Sequence, residues 1–140
     1  MNSKLNLLFA SVVATHSFCF QANGQDASFG GDIYASHCAV CHGETGGGDG
    51  IVGELFAQRP ANLRLLSKEN KGIFPMDRVI AAIYGRASIP GHGQTEMPIW
   101  GDYFMTEALK GPALDPADAA MITQGRVLSV VSFLQQLQVE

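Results

Sequence analysis

The sequence predicts a small all-α domain, and three observations carry that prediction. Apolar residues recur at helical spacing in Val79, Ile80, Ile83 and Tyr84, and again in Val127, Val130, Val131, Leu134 and Leu137. Asp115-Pro116-Ala117-Asp118 has the N-cap, first-turn proline and acidic first turn of a helix start. No period-two strand pattern of any length, internal repeat or nucleotide loop is present. At 140 residues the chain holds one domain at most.

Residues 1–22 read as an export signal. Lys4 is the short basic region, and Leu5 to Phe20 is mostly apolar, with Leu7, Leu8, Phe9, Val12 and Val13 at its heart. Asn6, Ser11, Thr15, His16 and Ser17 interrupt it, and it is shorter than the roughly 20 residues of a membrane span. Cleavage is expected after Ala22, with Gln25 and Ala14 as alternatives and an uncleaved anchor as the competing reading. His16-Ser17-Phe18 before Cys19 is a poor lipoprotein signal. Residues 23–28 are polar and small and read as a linker, and 29–140 as the domain. The exported protein is expected in the periplasm. Cys19 leaves with the signal, so Cys38 and Cys41 are the cysteines of the mature chain.

The formal charge is −4, and it becomes −5 without Lys4, because no other charged residue precedes Asp26. This argues against a nucleic-acid partner. Arg59, Arg64, Lys68, Lys71, Arg78 and Arg86 fall in one central segment. They read either as a solvated face or as partners for acidic groups of a cofactor or a docking protein.

Cys38-Ala39-Val40-Cys41-His42 is the stretch that carries chemistry. C-x-x-C-H is the attachment signal for c-type haem. Two thiols one helical turn apart can each add to a vinyl group on one porphyrin edge, and the next residue then lies under the iron. A redox C-x-x-C does not require the His, and no thioredoxin-like βαβ unit surrounds it. A structural zinc needs four ligands, and no second Cys/His pair exists.

Phe29 to Cys38 is expected to be helical, with Asp32 in its first turn. Gly30, Tyr34 and Cys38 then share one face, and glycine there implies close approach of another helix. His37 is expected to point away from the site. Gly43 to Gly53 is a tight glycine loop; its match to G-x-G-x-x-G lacks a preceding strand. Pro60 or a neighbour is expected to offer a carbonyl to His42. A helical turn is expected within Leu63–Lys71, ended at Lys71-Gly72. Asp77 is the expected N-cap of the helix bearing Val79 to Tyr84, stopped by Gly85.

Ala87 to Gly101 is expected to be loop, because Pro90, Gly91, Gly93, Pro98 and Gly101 interrupt it. Met97 lies there, 55 positions after His42 and followed by Pro98. It is the expected second axial ligand, ahead of Met76, Met105 and Met121, with His92 as rival. Trp100 is expected to pack on the cofactor. Asp102 to Leu109 reads as a short helix, and the last helix runs from Pro116 to about Gln138, with Gln135, Gln136 and Gln138 facing water.

The exported part resembles a class I c-type cytochrome of the bacterial periplasmic, mono-haem kind, over most of Phe29 to Gln138. Gly30 and Tyr34 precede Cys38 by eight and four positions, as in that family, and Val130 and Phe133 match its aliphatic–aromatic pair on the last helix. Met97-Pro98-Ile99-Trp100-Gly101 is similar to the family's sixth-ligand loop. The resemblance implies an all-α cytochrome c fold, with crossing first and last helices around one covalent haem c. Gly53-Glu54 stands where the family often has Gly-Pro, and Thr106–Pro116 reads as an insertion of no assigned role.

The function expected is electron transfer without catalysis. Cys38 and Cys41 would attach the haem, and His42 and Met97 would bind its iron. The protein would be free or the haem subunit of a redox complex, with a dehydrogenase, reductase or oxidase as partner and no stable membrane span once the signal is cleaved. The alternative is a haem sensor or enzyme with a displaceable sixth ligand, motivated by Gly91-His92-Gly93.

Overall fold

The computed structural model describes residues 23–56, 58–86, 97–111, 113 and 115–139. The regular structure of these residues is all helical: α1 (Asn23–His37), α2 (Ala39–His42), α3 (Met76–Ile83), α4 (Trp100–Lys110) and α5 (Pro116–Gln136). Three 3-10 turns, Gly53–Leu55, Leu63–Leu65 and Lys68–Asn70, join them. The export signal, Glu96 and the rival ligand His92 lie outside the described residues. No helix among the described residues is long and apolar enough to cross a membrane.

α1 begins at Asn23, so 23–28 is helix where a linker was expected. Its polar composition gives no apolar period, but adding residues to a formed helix costs little once a later turn is anchored. That anchor is the pairing of α1 with α5, the most extensive in the fold. At Gly30 a Cβ would collide with the Ser129 carbonyl and lie 3.1 Å from the Val130 nitrogen. At Gly31 it would lie 3.3 Å from the Phe133 ring. One turn on, the rings of Tyr34 and Phe133 are 5.2 Å apart. The glycine therefore buys proximity of two main chains, and that packing offsets the roughly 1 kcal/mol helix penalty of Gly.

α5 starts as the sequence predicts. Asp115 accepts hydrogen bonds from the N–H groups of Ala117 (2.7 Å) and Asp118 (3.0 Å), with Pro116 in the first turn. Its stripe of Val127, Val130, Val131 and Leu134 is buried and forms the centre of the core with Ile33, Tyr34, Val79, Ile83 and Phe104. Each such aliphatic side chain contributes about 1.5–3 kcal/mol by burial.

The end of α5 departs from expectation. The helix stops at Gln136, and Gln138 does not face water. Its amide oxygen accepts from the Ser67 N–H at 2.8 Å, and its amide nitrogen donates to the carbonyls of Leu63 (2.8 Å) and Leu134 (2.7 Å). The Val139 N–H adds a bond to the Arg64 carbonyl at 3.0 Å. A side chain with both a donor and an acceptor can close a turn that no helix covers.

α3 packs its Val79–Ile83 face on α5. Its N-cap is Pro75, with no side-chain capping bond, and Asp77 sits inside the first turn, where it meets the helix dipole instead. Lys71 (φ 58°) and Gly72 (φ 83°) end the preceding turn in the left-handed region, as the sequence predicts. α4 begins at Trp100, two residues before the expected start. The reason lies in packing: a Cβ at Gly101 would come 2.5 Å from the Tyr84 ring, and one at Gly85 would come 2.8 Å from Ile99. The C-terminal end of α3 and the N-terminal end of α4 are thus seated on each other. Thr106–Lys110 is the second half of α4, which packs on α5 through buried Phe104 and Ala108 and the Glu107–Arg126 ion pair (3.0 Å).

Candidate functional site

α1 ends at His37, and the ladder carries on through the Cys38 N–H to the Tyr34 carbonyl (2.8 Å). Cys38 then caps α2, its carbonyl accepting from the N–H groups of Cys41 (3.1 Å) and His42 (2.9 Å). The helical turn that the C-x-x-C spacing requires is therefore formed, with His42 buried at its end.

The glycine loop folds back onto this turn. Gly48 N–H donates to the His42 carbonyl (2.7 Å), Gly50 N–H to that of Cys41 (3.1 Å) and Val52 N–H to that of Val40 (3.0 Å). Gly43 (φ 81°) and Gly48 (φ 82°) adopt left-handed backbone. A side chain at Gly50 would run into the Val40 and Cys41 main chain, so the loop can lie flat on α2 only with hydrogen there. From below, the Tyr34 hydroxyl donates to the Gly43 carbonyl at 2.6 Å.

Nδ1 of His42 donates to the Ala61 carbonyl at 3.1 Å. The carbonyl expected of Pro60 or a neighbour is thus the neighbour's. Pro60 packs its ring against Gly53, where a Cβ would meet its Cγ at 2.8 Å, and so aims the next carbonyl. This bond fixes the ring orientation and tautomer and makes Nε2 the nitrogen on the opposite side.

Cys38, Cys41, His42 and Met97 line one cleft that is open to solvent. Phe56, Pro60, Pro98 and Trp100 give it apolar walls, with Gln58 at the edge. Met97 reaches it from the segment before α4, which Ile99 on Gly85 and Tyr84 on Gly101 hold in place. His37 lines the cleft too, correcting the expectation that it points away. Its ring lies 5.1 Å from Trp100, 5.3 Å from Tyr103 and 5.5 Å from Phe104. Trp100, Tyr103 and Phe104 sit at helical spacing because α4 starts at Trp100, within the segment expected to be loop. Phe56 and Gln58 carried no sequence signal at all.

Both thiols are free. Burial, and then the nearby Cys41, push the Cys38 thiol up to about 12, and burial raises that of Cys41 as well. Both are therefore protonated at neutral pH. A disulfide-exchange C-x-x-C has the opposite character, with one thiol held low. Among the described residues no group of three or more His, Cys, Asp or Glu side chains is arranged to hold a metal ion. What remains is two neutral thiols, one oriented imidazole and one thioether around an apolar cleft. That donor set suits an apolar cofactor held through the thiols, with the imidazole and the thioether as candidate ligands.

No family model, no curated protein and no solved structure matches the chain. Fold and site define its class without them: an all-helical domain built around a dithiol, histidine and methionine cleft.

Proposed function

We propose that the chain is an exported, mono-haem electron-transfer protein with a cytochrome c fold. One observation carries the reading: His42 and Met97, 55 positions apart, line the same cleft as the paired thiols of Cys38 and Cys41. When bound, haem c supplies a one-electron ferric/ferrous couple. Cys38 and Cys41 would hold it through thioethers from one turn of helix. His42 and Met97 would bind its iron, which would leave no position for a substrate and make the protein an electron carrier rather than an enzyme. The Ala61 carbonyl orients the His42 ring and raises the basicity of its other nitrogen. The Met97 thioether and the apolar walls of Phe56, Pro60 and Trp100 would raise the reduction potential of a bound haem, because they would disfavour the extra positive charge of ferric iron. The glycine crossing of α1 and α5 and the Tyr34–Phe133 contact support the family fold. The periplasm is the proposed compartment, and redox proteins are the proposed partners.

The test is the absorption spectrum of the matured, exported protein in both redox states, beside Met97→Ala. Covalent haem, and a weak near-red charge-transfer band in the ferric protein that the substitution abolishes, are expected. A band retained by Met97→Ala would remove Met97 as ligand. A preparation that carries no covalent haem would overturn the reading.

A further inference from the structure

His37 stands immediately before Cys38. Among the described residues it alone lines both the site cleft and a second depression, the groove that Ile33, Phe104 and Arg126 form between α1, α4 and α5. Rings of α4 surround it. Its own ring lies 5.1 Å from Trp100 at an interplanar angle of 54°, 5.3 Å from Tyr103 at 63° and 5.5 Å from Phe104 at 74°. Tilted and edge-on arrangements at such distances are the attractive geometries of aromatic pairs.

The main chains of α1 and α4 pack on α5 far more than on each other, so side chains bridge the two helices. His37 is the bridge that adjoins the thiols. Trp100 opens α4, three residues after Met97, and its neighbour Gly101 is seated on Tyr84 of α3. The start of α4 is thereby gripped twice, by α3 through Gly101 and by α1 through Trp100. The second grip ties it directly to the turn of Cys38, Cys41 and His42. His37 is only half-buried and stands outside the central core, so its ring does little for the fold as a whole and its contacts serve the cleft.

We infer that His37 is a positioning residue: through Trp100 it holds the Met97 segment against the dithiol turn, and it walls the cleft off from the groove between α1 and α4. The consequence for iron ligation rests on the electron-transfer reading, while the grip on Trp100 does not. In a haem-bearing chain an external ligand must take the place of Met97. Its apparent affinity rises with the fraction of molecules in which the Met97 segment stands away, and His37 keeps that fraction low.

The experiment compares four forms of the full mature chain: unaltered, His37→Ala, His37→Phe, and Val127→Ala, which opens the core on α5 outside the cleft. Imidazole binding to the ferric protein is followed by loss of the near-red band. The heteronuclear NOE of the Trp100 indole N–H is read in the reduced protein, where it is a single signal because the chain has one tryptophan. His37→Ala is expected to tighten imidazole binding about three- to tenfold and to lower the indole NOE. His37→Phe keeps a ring and should return both close to the unaltered values. Val127→Ala should lower the denaturant midpoint and leave both in place. Equal tightening in Val127→Ala would reduce the effect to lost stability and overturn the inference, as would unchanged values in His37→Ala or failure of His37→Phe to restore them. If His37→Ala does not fold, His37→Leu takes its place with the same outcomes, since it fills the space without a ring. A chain without covalent haem would sink the electron-transfer reading, and the indole NOE would then decide the grip on Trp100 by itself.

Discussion

Gly30 of α1 lies directly on the main chain of Ser129 in α5, with no room between them for a methyl group. Alanine is the better helix former, yet here its Cβ meets a carbonyl that belongs to another helix and cannot rotate aside. Gly30→Ala is expected to destabilise the fold by about 1–3 kcal/mol, as overpacking does. Gly125 in α5 is the control: nothing lies within 4 Å of a Cβ there. Gly125→Ala should raise stability by about 0.5–1 kcal/mol. Denaturant midpoints of the two variants decide the matter, and shifts of the same sign in both would contradict the packing argument.

Burial raises the Tyr34 hydroxyl above its ordinary value of 10.0, with smaller contributions from Cys38 and Asp49. The native state therefore keeps a proton that the unfolded chain releases at about pH 10. The contribution is whole below that pH and falls as pH rises beyond it. Tyr34→Phe removes the bond to the Gly43 carbonyl, at about 1 kcal/mol near neutrality, and should flatten the alkaline decline. Unfolding free energies measured between pH 8 and 11, on the scale of that ordinary value, should show both effects.

Gln138 joins the end of the last helix to the segment beneath His42. Gln138→Ala removes bonds to Leu63, Ser67 and Leu134 and should cost about 1–3 kcal/mol. Gln138→Glu keeps an acceptor for Ser67 but, once ionised, turns a carboxylate toward two carbonyls, so its destabilisation should grow as pH rises through the carboxylate range. Amide exchange in 63–70 is the direct readout, and unchanged protection there would contradict the clamp.

Gly101 and Tyr84 set the approach of Met97 to the cleft. In Gly101→Val the added atoms strike the Tyr84 ring, which a Cβ alone reaches at 2.5 Å. If the chain carries haem as proposed, loss or weakening of the near-red band is expected, with covalent attachment kept. A full band at normal intensity would show that the Met97 segment is positioned some other way.

Much of the site was legible because its chemistry is local. Cys38, Cys41 and His42 fall on one turn by spacing alone, and Asp115-Pro116 states its own helix start. Met97 was singled out by the proline that follows it, and it lines the cleft. The misses share a cause: they depend on residues distant in sequence. Trp100 enters a helix because Tyr84 packs on Gly101. Gln138 looks like surface until Leu63 and Ser67 are brought beneath it. His37 reaches the cleft because the aromatic side of α4 draws it in. The His42 carbonyl partner was foreseen only to within one residue, since the choice of Ala61 over Pro60 rests on how the proline ring seats against Gly53.

The contact of Gly30 with Ser129 also has a kinetic meaning. The two residues stand 99 positions apart, and everything that lines the cleft lies between them. A contact of such sequence separation raises the contact order of the fold, and high contact order slows folding. The Gly30–Ser129 contact is one of several fastenings, beside the Gln138 bonds to Leu63 and Ser67 and the packing of α3 and α4 on α5. Because these enclose the His42 and Met97 segments together, separation of the two residues should track global unfolding.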